Sequence, residues 1–366
     1  MRVKFLDLPD QYRRLQSEID PVIQSVISEA SFIGGPIVKA FEASFAKYCG
    51  VGHCIGVGNG TDALEIAIES LNLPAGSEIL VPANSFVASA EAVTRTGHQV
   101  VFVEPSGLSA TIDGNDVERA ATANTAAVIA VHLYGQPCEM SSISEAADAY
   151  GLKVIEDAAQ AHGATYLDRR VGSLADVAAF SFYPGKNLGA YGDAGAITTN
   201  FSDLAMRARL IANHGRIDKY DHKIEGRNSR LDGLQAAILD VKLRHLDDWL
   251  GIRRTIAQVY RSRISQIPGI QLFAERADSL SAYHLFPIIT PDRDGIASHL
   301  FNYGIATGIH YPTSLPFLSA YDYLEGRGGF LASENRSKCL LSLPIGDHMT
   351  ENDANYVCDC LAAYFG

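Results

Sequence analysis

From residue 53 to about residue 200, short apolar runs alternate with segments of helical period, and that alternation leaves few folds open. Runs at 53–57, 78–82, 99–103, 127–132, 153–157 and 177–182 read as strands. Helical patterns fill the gaps, among them one opening at Gly58-Asn59-Gly60-Thr61-Asp62 and one at 140–150. Strand–helix alternation of this kind predicts an α/β fold built on a mainly parallel sheet covered on both faces. Ligands of such sheets collect beyond the carboxyl ends of the strands. The turn at 58–61, Phe86, Asp157 and Lys186 all follow predicted strands directly, so the fold brings them together.

The flanks are helical. Residues 9–30 place Leu15, Ile19, Val22, Ile23, Val26 and Ile27 on one face, and a second helix spans 37–48 after the break Gly34-Gly35-Pro36. A helix at 204–214 is followed by a polar segment, 215–230. One long helix is then predicted from Leu231, with Ile238, Val241, His245, Trp249, Ile256 and Val259 on a single stripe. It leads into a smaller α+β unit with strands near 270–274, 284–289 and 306–308 and a closing helix at 352–365. The expected division is a large domain with an N-terminal helical arm, residues 1–240, and a small C-terminal domain, residues 241–366.

Composition narrows the partners. A net charge of -12 disfavours nucleic acid and anionic membrane surfaces. The N-terminus, MRVKFLDLPDQYRRL, is amphipathic rather than signal-like, and no uninterrupted apolar stretch reaches the roughly 18 residues of a spanning helix. The six cysteines include no CxxC pair and no zinc-like spacing with histidine, so they read as reduced cysteines of a cytoplasmic protein, and no metal is expected.

The stretch 153–200 carries the chemistry. An apolar run ends in Glu156-Asp157 and continues as Ala158-Ala159-Gln160-Ala161-His162-Gly163. A second run then enters the loop Tyr183-Pro184-Gly185-Lys186-Asn187-Leu188-Gly189-Ala190-Tyr191-Gly192-Asp193. A strand-end carboxylate and a lysine held by glycines are what pyridoxal phosphate needs, the lysine to link the aldehyde and the carboxylate to keep the pyridine nitrogen protonated. Each part also has a plainer reading. A lysine in a glycine loop is ordinarily solvated, and an aspartate ending a strand ordinarily caps a helix. The turn at 58–61 is a structural cap or a phosphate cup. Its glycines 56, 58 and 60 miss the dinucleotide spacing, because Thr61 stands where the third glycine belongs.

With these residues in view, the chain resembles the DegT/DnrJ/StrS family of nucleotide-sugar aminotransferases, from Phe5-Leu6-Asp7-Leu8 to the closing helix. The resemblance rests on GNGTDAL, PANSF, EDAAQAHGA, SFYPGKNLGAYGDAGA and NSRLDGLQAAIL in this order. It implies a pyridoxal-phosphate-dependent transferase of fold type I, the aspartate-aminotransferase fold. It implies that Lys186 is the Schiff-base lysine and proton carrier, Asp157 the partner of the pyridinium nitrogen, and Gln160 a donor to the phenolic oxygen. Gly60, Thr61 and Ser181 become phosphate ligands, and Phe86 lies on the ring face. Asn228 reaches the phosphate from a neighbouring subunit, which implies a homodimer with shared active sites. Tyr183, His310 and Tyr311 fall on the sugar side, and Lys219 approaches the diphosphate.

The implied reaction moves an amino group from L-glutamate, through the pyridoxamine phosphate form, to C-3 of a dTDP-linked 3-keto-6-deoxyhexose. The alternatives are a 4-keto sugar aminotransferase, a sugar dehydratase using the pyridoxamine form, and a non-catalytic cofactor-binding regulator. The related dehydratases carry histidine in place of the lysine, so Lys186 counts against the second.

Overall fold

A computed structural model of the chain describes residues 1–324 and 327–366. Its centre is a seven-stranded sheet in the order His53–Val57, Gly195–Thr199, Val177–Ser181, Lys153–Asp157, Thr125–Val131, Glu78–Pro82, Gln99–Val103. Gly195–Thr199 runs antiparallel to both of its neighbours, and the remaining pairings are parallel, as the alternation predicts. The residues explain the burial on both faces. In Glu78–Pro82, Ile79 and Val81 enter one apolar cluster while Leu80 enters another on the opposite face. Ile129 and Val131 divide from Val128 and Ala130 in the same way. The register sets Val131 opposite Asp157 and Asp157 opposite Ala179, so Thr125–Val131 and Lys153–Asp157 end level while Val177–Ser181 runs two residues further.

Two helices replace the single long one expected from Leu231: Gly233–Leu243 and Leu246–Ile264. The apolar stripe runs through both, which is why the period alone showed no interruption. The break falls at Arg244 and His245, where Asp247 and Asp248 supply the acidic first turn of a new helix, and the His245 ring bonds Glu18 at 2.9 Å. Leu246, Trp249 and Leu250 pack into the core of the large sheet, whereas Ile256, Ala257, Tyr260 and Ile264 pack into the C-terminal unit.

That C-terminal unit contains a three-stranded antiparallel sheet in the order Gln271–Leu272, Phe286–Ile289, Leu340–Leu343. The helices Arg293–Asn302 and Glu351–Phe365 cover it. The strand expected at 306–308 is not formed. Those residues make only isolated contacts, Gly308 with Ser342 and, just before them, Ile305 with Val3. The third strand is instead Leu340–Leu343, which follows the helix Leu331–Cys339 with no turn residue between them. An apolar run without punctuation carries no boundary signal. Among the described residues no helix is long and apolar enough to cross a membrane, and no group of acidic, histidine or cysteine side chains forms a metal site.

Candidate active site

The helix Gly60–Ser70 starts directly beyond the strand His53–Val57. Asn59 caps it, its side-chain oxygen accepting the Asp62 N–H at 2.8 Å. Among the described residues the N–H groups of Gly60 and Thr61 have no acceptor, and they stand at the positive end of the helix dipole. Ser181, the last residue of Val177–Ser181, lies against this turn. A Cβ at Gly60 would sit 2.5 Å from the Ser181 Cβ, so only glycine allows the approach.

Glu156 and Asp157 are consecutive on a strand and therefore face opposite sides. Glu156 is wholly buried on the far side, accepting the Gly172 and Leu174 N–H groups at 2.8 Å each and facing His132 Nε2 at 3.1 Å. The Cys138 N–H donates to His132 Nδ1, which leaves the ring proton on Nε2, toward Glu156. This network anchors the strand that presents Asp157 on the near side. Asp157 Oδ2 accepts the Ser89 hydroxyl at 2.7 Å, Ser89 bonds Ser85 at 2.7 Å, and Oδ1 accepts the Ala159 N–H at 3.2 Å. Each carboxylate oxygen thus keeps a free lone pair.

The loop carrying Lys186 is closed by two backbone bonds, Lys186 N–H to the Tyr183 carbonyl and Ala190 N–H to the Phe182 carbonyl, both 2.8 Å. A Cβ at Gly189 would strike the Pro184 carbonyl oxygen at 2.3 Å, so the tight return of the chain requires glycine. Burial lowers the Lys186 pKa to about 8, and Asp157 keeps it from falling further. Near neutrality a useful fraction of this amine is unprotonated and nucleophilic.

These groups open onto one cavity of about 1190 Å³, whose wall includes Gly60, Thr61, Phe86, Asp157, Gln160, Ser181, Tyr183, Lys186, Asn228, His310 and Tyr311. Of the residues named from the sequence, Lys219 alone is absent from that wall. It lies on a turn that the Ile217 N–H to Asp221 and Lys223 N–H to Gly215 bonds hold at the surface. Asn228 lines the cavity of its own chain, in backbone contact with Asn213. Gln160 is already oriented, its oxygen accepting the Tyr134 N–H at 2.6 Å and its nitrogen donating to the Tyr311 hydroxyl at 3.1 Å. Phe86 remains half exposed, 5.6 Å from the Tyr311 ring. His310 bonds Ser342 at 2.9 Å and stacks on Phe5, and burial, then Lys186, pushes its pKa down to about 4.

Sequence reasoning passed over several members of the wall. His284 faces the cavity and is held neutral by burial and by Lys186; its ring nitrogen lies 3.3 Å from Asn187 in the lysine loop. It stood at the edge of a predicted strand beside a tyrosine, which was the available signal. Ser85 and Ser89 lie just beyond the strand Glu78–Pro82, within and after the PANSF motif, and Phe5 and Leu6 lie in the N-terminal arm. His162 is a packed neighbour. Its ring is buried against Phe180 and Phe182, both its nitrogens lack partners among the described residues, and its pKa is pushed down to about 3 by burial and Lys186.

A lysine of lowered basicity opposite a strand-end carboxylate, beside a helix terminus with free amides, defines a class: enzymes of amine chemistry at a carbonyl. Comparison with known proteins makes this specific. Residues 13–362 match the model of the DegT/DnrJ/EryC1/StrS aminotransferase family. The chain is 46% identical over 364 residues to the erythromycin biosynthesis sensory transduction protein EryC1 of Saccharopolyspora erythraea, covering 99% of this chain and 100% of the relative. It is 44% identical over 361 residues to the dTDP-3-amino-3,4,6-trideoxy-alpha-D-glucose transaminase of Streptomyces venezuelae, covering 98% and 95%. The crystal structure of S. venezuelae DesV in complex with a ketimine intermediate superposes with a TM-score of 0.96 at 43% identity, covering 99% of this chain and 98% of that one. The chain belongs to the DegT/DnrJ/EryC1/StrS aminotransferase family.

Proposed function

We propose that this chain uses pyridoxal phosphate to move the amino group of L-glutamate to C-3 of a dTDP-linked 3-keto-6-deoxyhexose. The observation that carries the reading is the shared cavity, in which Lys186, Asp157 and the free amides of Gly60 and Thr61 open onto one space. The fit to the cofactor is chemical: a cup of unpaired N–H groups for a phosphate, a carboxylate with free lone pairs for a pyridinium, and an amine of lowered pKa for an aldehyde. The transaminase name of the Streptomyces venezuelae relative, and the ketimine complex of DesV, support both the chemistry and the ring position.

When bound, the cofactor supplies an aldehyde and an electron-withdrawing ring. The chain supplies the rest. Gly60, Thr61 and Ser181 would hold the phosphate, Phe86 would cover the ring, and the remaining N–H of Gln160 would serve the phenolic oxygen. Asp157 keeps the pyridine nitrogen protonated, because a neutral pyridine does not absorb carbanion charge. Lys186 would link the aldehyde, and its freed amine would be the base and acid that carries the proton of the amino transfer. Tyr183, His310 and Tyr311 face the sugar. Because His310 stays neutral, it offers the sugar a hydrogen bond and no fixed charge.

Assembly is part of the proposal. Asn228, although it also lines the cavity of its own chain, acts across the interface of a symmetric dimer, Lys219 approaches the diphosphate, and the exposed Phe32, Ile33, Ile217 and Tyr220 give such an interface apolar surface. The regulatory name of EryC1 raises a non-catalytic reading, against which the intact lysine and carboxylate weigh. The deciding experiment is borohydride reduction of the cofactor-loaded protein followed by peptide mass spectrometry. Cofactor mass on the Lys186 peptide, together with conversion of the bound cofactor to the pyridoxamine form by L-glutamate, is the expected result. Label on Lys153 or Lys338 instead would sink the assignment.

A further inference from the structure

Lys242 is a lysine with no place in the site just described, yet it is 1% exposed. Burying an ammonium costs several kcal/mol unless something compensates, and methionine would fill the same space without charge. What compensates here is the loop of Lys186. Lys242 Nζ donates to the Gly189 carbonyl at 2.7 Å and lies 4.2 Å from the centre of the Tyr191 ring, with Asp347 as its more distant counter-charge. Two turns earlier on the same helix, Gly233–Leu243, Gln235 accepts the Tyr191 N–H at 2.8 Å. Residues seven apart share a helix face. One face of one helix therefore grips the returning limb of the loop at Gly189 and again at Tyr191, three and five residues beyond the reactive lysine. On the other limb, Asn187 Nδ2 donates to the Ala282 carbonyl at 2.8 Å.

We propose that Lys242 is a positioning residue for Lys186: together with Gln235 it splints the loop to the helix, so that the released amine returns to one place. The proposal rests on the reading of Lys186 as the linking amine. The need is physical. Lys186 would have to leave the aldehyde when the amino donor takes its place, and re-form the link at the end of the cycle by displacing the product amine, in competition with solvent and substrate amines. A backbone that stays fixed keeps the effective concentration of that amine high, and misplacement by about 1 Å costs on the order of a hundredfold.

The test compares two probes, pyridoxal phosphate, which links to Lys186, and pyridoxamine phosphate, which cannot. Dissociation constants are measured for the wild-type protein, Lys242→Met, Lys242→Arg and Gln235→Ala by equilibrium dialysis. In Lys242→Met the affinity for pyridoxal phosphate is expected to fall about tenfold or more, while that for pyridoxamine phosphate stays within about threefold. Lys242→Arg keeps a donor and lies closer to wild type, and Gln235→Ala shifts the same ratio by less. Equal weakening of both probes would mean that Lys242 only supports the fold, and unchanged affinities would mean that the grip is idle; either overturns the proposal. If Lys242→Met does not fold, Gln235→Ala and Lys242→Arg decide the matter by the same ratio. Failure of the wild-type protein to take borohydride label at Lys186 would instead sink the functional reading beneath it.

Discussion

Replacing Lys186 with methionine is expected to abolish turnover and also to stabilise the cofactor-free protein in a way that depends on pH. Burial holds the Lys186 pKa at about 8 in the fold, against 10.5 when exposed. At about 1.4 kcal/mol per pKa unit, that difference amounts to about 3 kcal/mol. The sign follows from proton counting. Between about 8 and 10.5 the unfolded chain binds more protons at this site than the folded chain, so wild-type stability rises with pH across that window. Below about 8 the penalty is fully present; above 10.5 it has gone. His162 and His310, at about 3 and about 4, and His284, also pushed down, titrate below the window and do not enter. The assay is urea unfolding of both cofactor-free proteins at about pH 7.5 and about pH 10.5. The advantage of Lys186→Met over wild type should shrink by about 3 kcal/mol from the lower pH to the higher. Any packing change brought by the methionine is the same at both values and cancels. An advantage that does not vary with pH would refute the claim that burial sets the state of this amine.

Asp157→Asn should bind the cofactor yet form its pyridoxamine form from L-glutamate orders of magnitude more slowly; a single-turnover rate within a few-fold of wild type would reduce Asp157 to a cap. In competition between dTDP-linked 3-keto and 4-keto 6-deoxyhexoses, NMR of the aminated carbon should show the 3-amino product in large excess, and preference for the 4-keto sugar would refute the ring assignment. Refolding Lys186→Ala together with Asn228→Ala should restore activity above either parent. If Asn228 acts across the interface, one site of each heterodimer carries both lesions and the other carries none, whereas action within one chain restores nothing.

The parts of the site legible in the sequence were those whose position follows from local rules. Asp157, Lys186 and the turn at 58–61 each follow a strand, and strands that end within two residues of one another bring such residues together whatever the rest of the chain does. His284 and Ser89 obey no such rule. His284 comes from the C-terminal half of the chain and reaches the cavity only through packing, and Ser89 acquires its role from a bond to Asp157 across 68 residues of sequence. The same contrast separates the two sheets. Strands of the large sheet are bounded by turns and helices with clear signals, whereas Leu340–Leu343 has no signal at its start and owes its place to pairing with Phe286–Ile289. The break at Arg244 and His245 was invisible because both helices keep the same apolar stripe.

The helix Leu246–Ile264 belongs to two cores at once, its first turns to one and its last to the other. It works as a strut. Lys186 and Asp157 stand on the unit at one end of it, and the Ser342 that holds His310 stands on the unit at the other. Leu285 and Leu340 of the second unit also enter the core of the large sheet, so the width of the cavity is set by this packing together with the helix. The changeover falls between Leu250 and Ile256, next to Gly251, the helix's single glycine. Spreading the two units to admit a bulkier sugar means bending the strut there, against the packing of both cores, whereas shortening a side chain on the wall costs neither. Size selection by this cavity is therefore open to change through its wall residues while its span stays fixed.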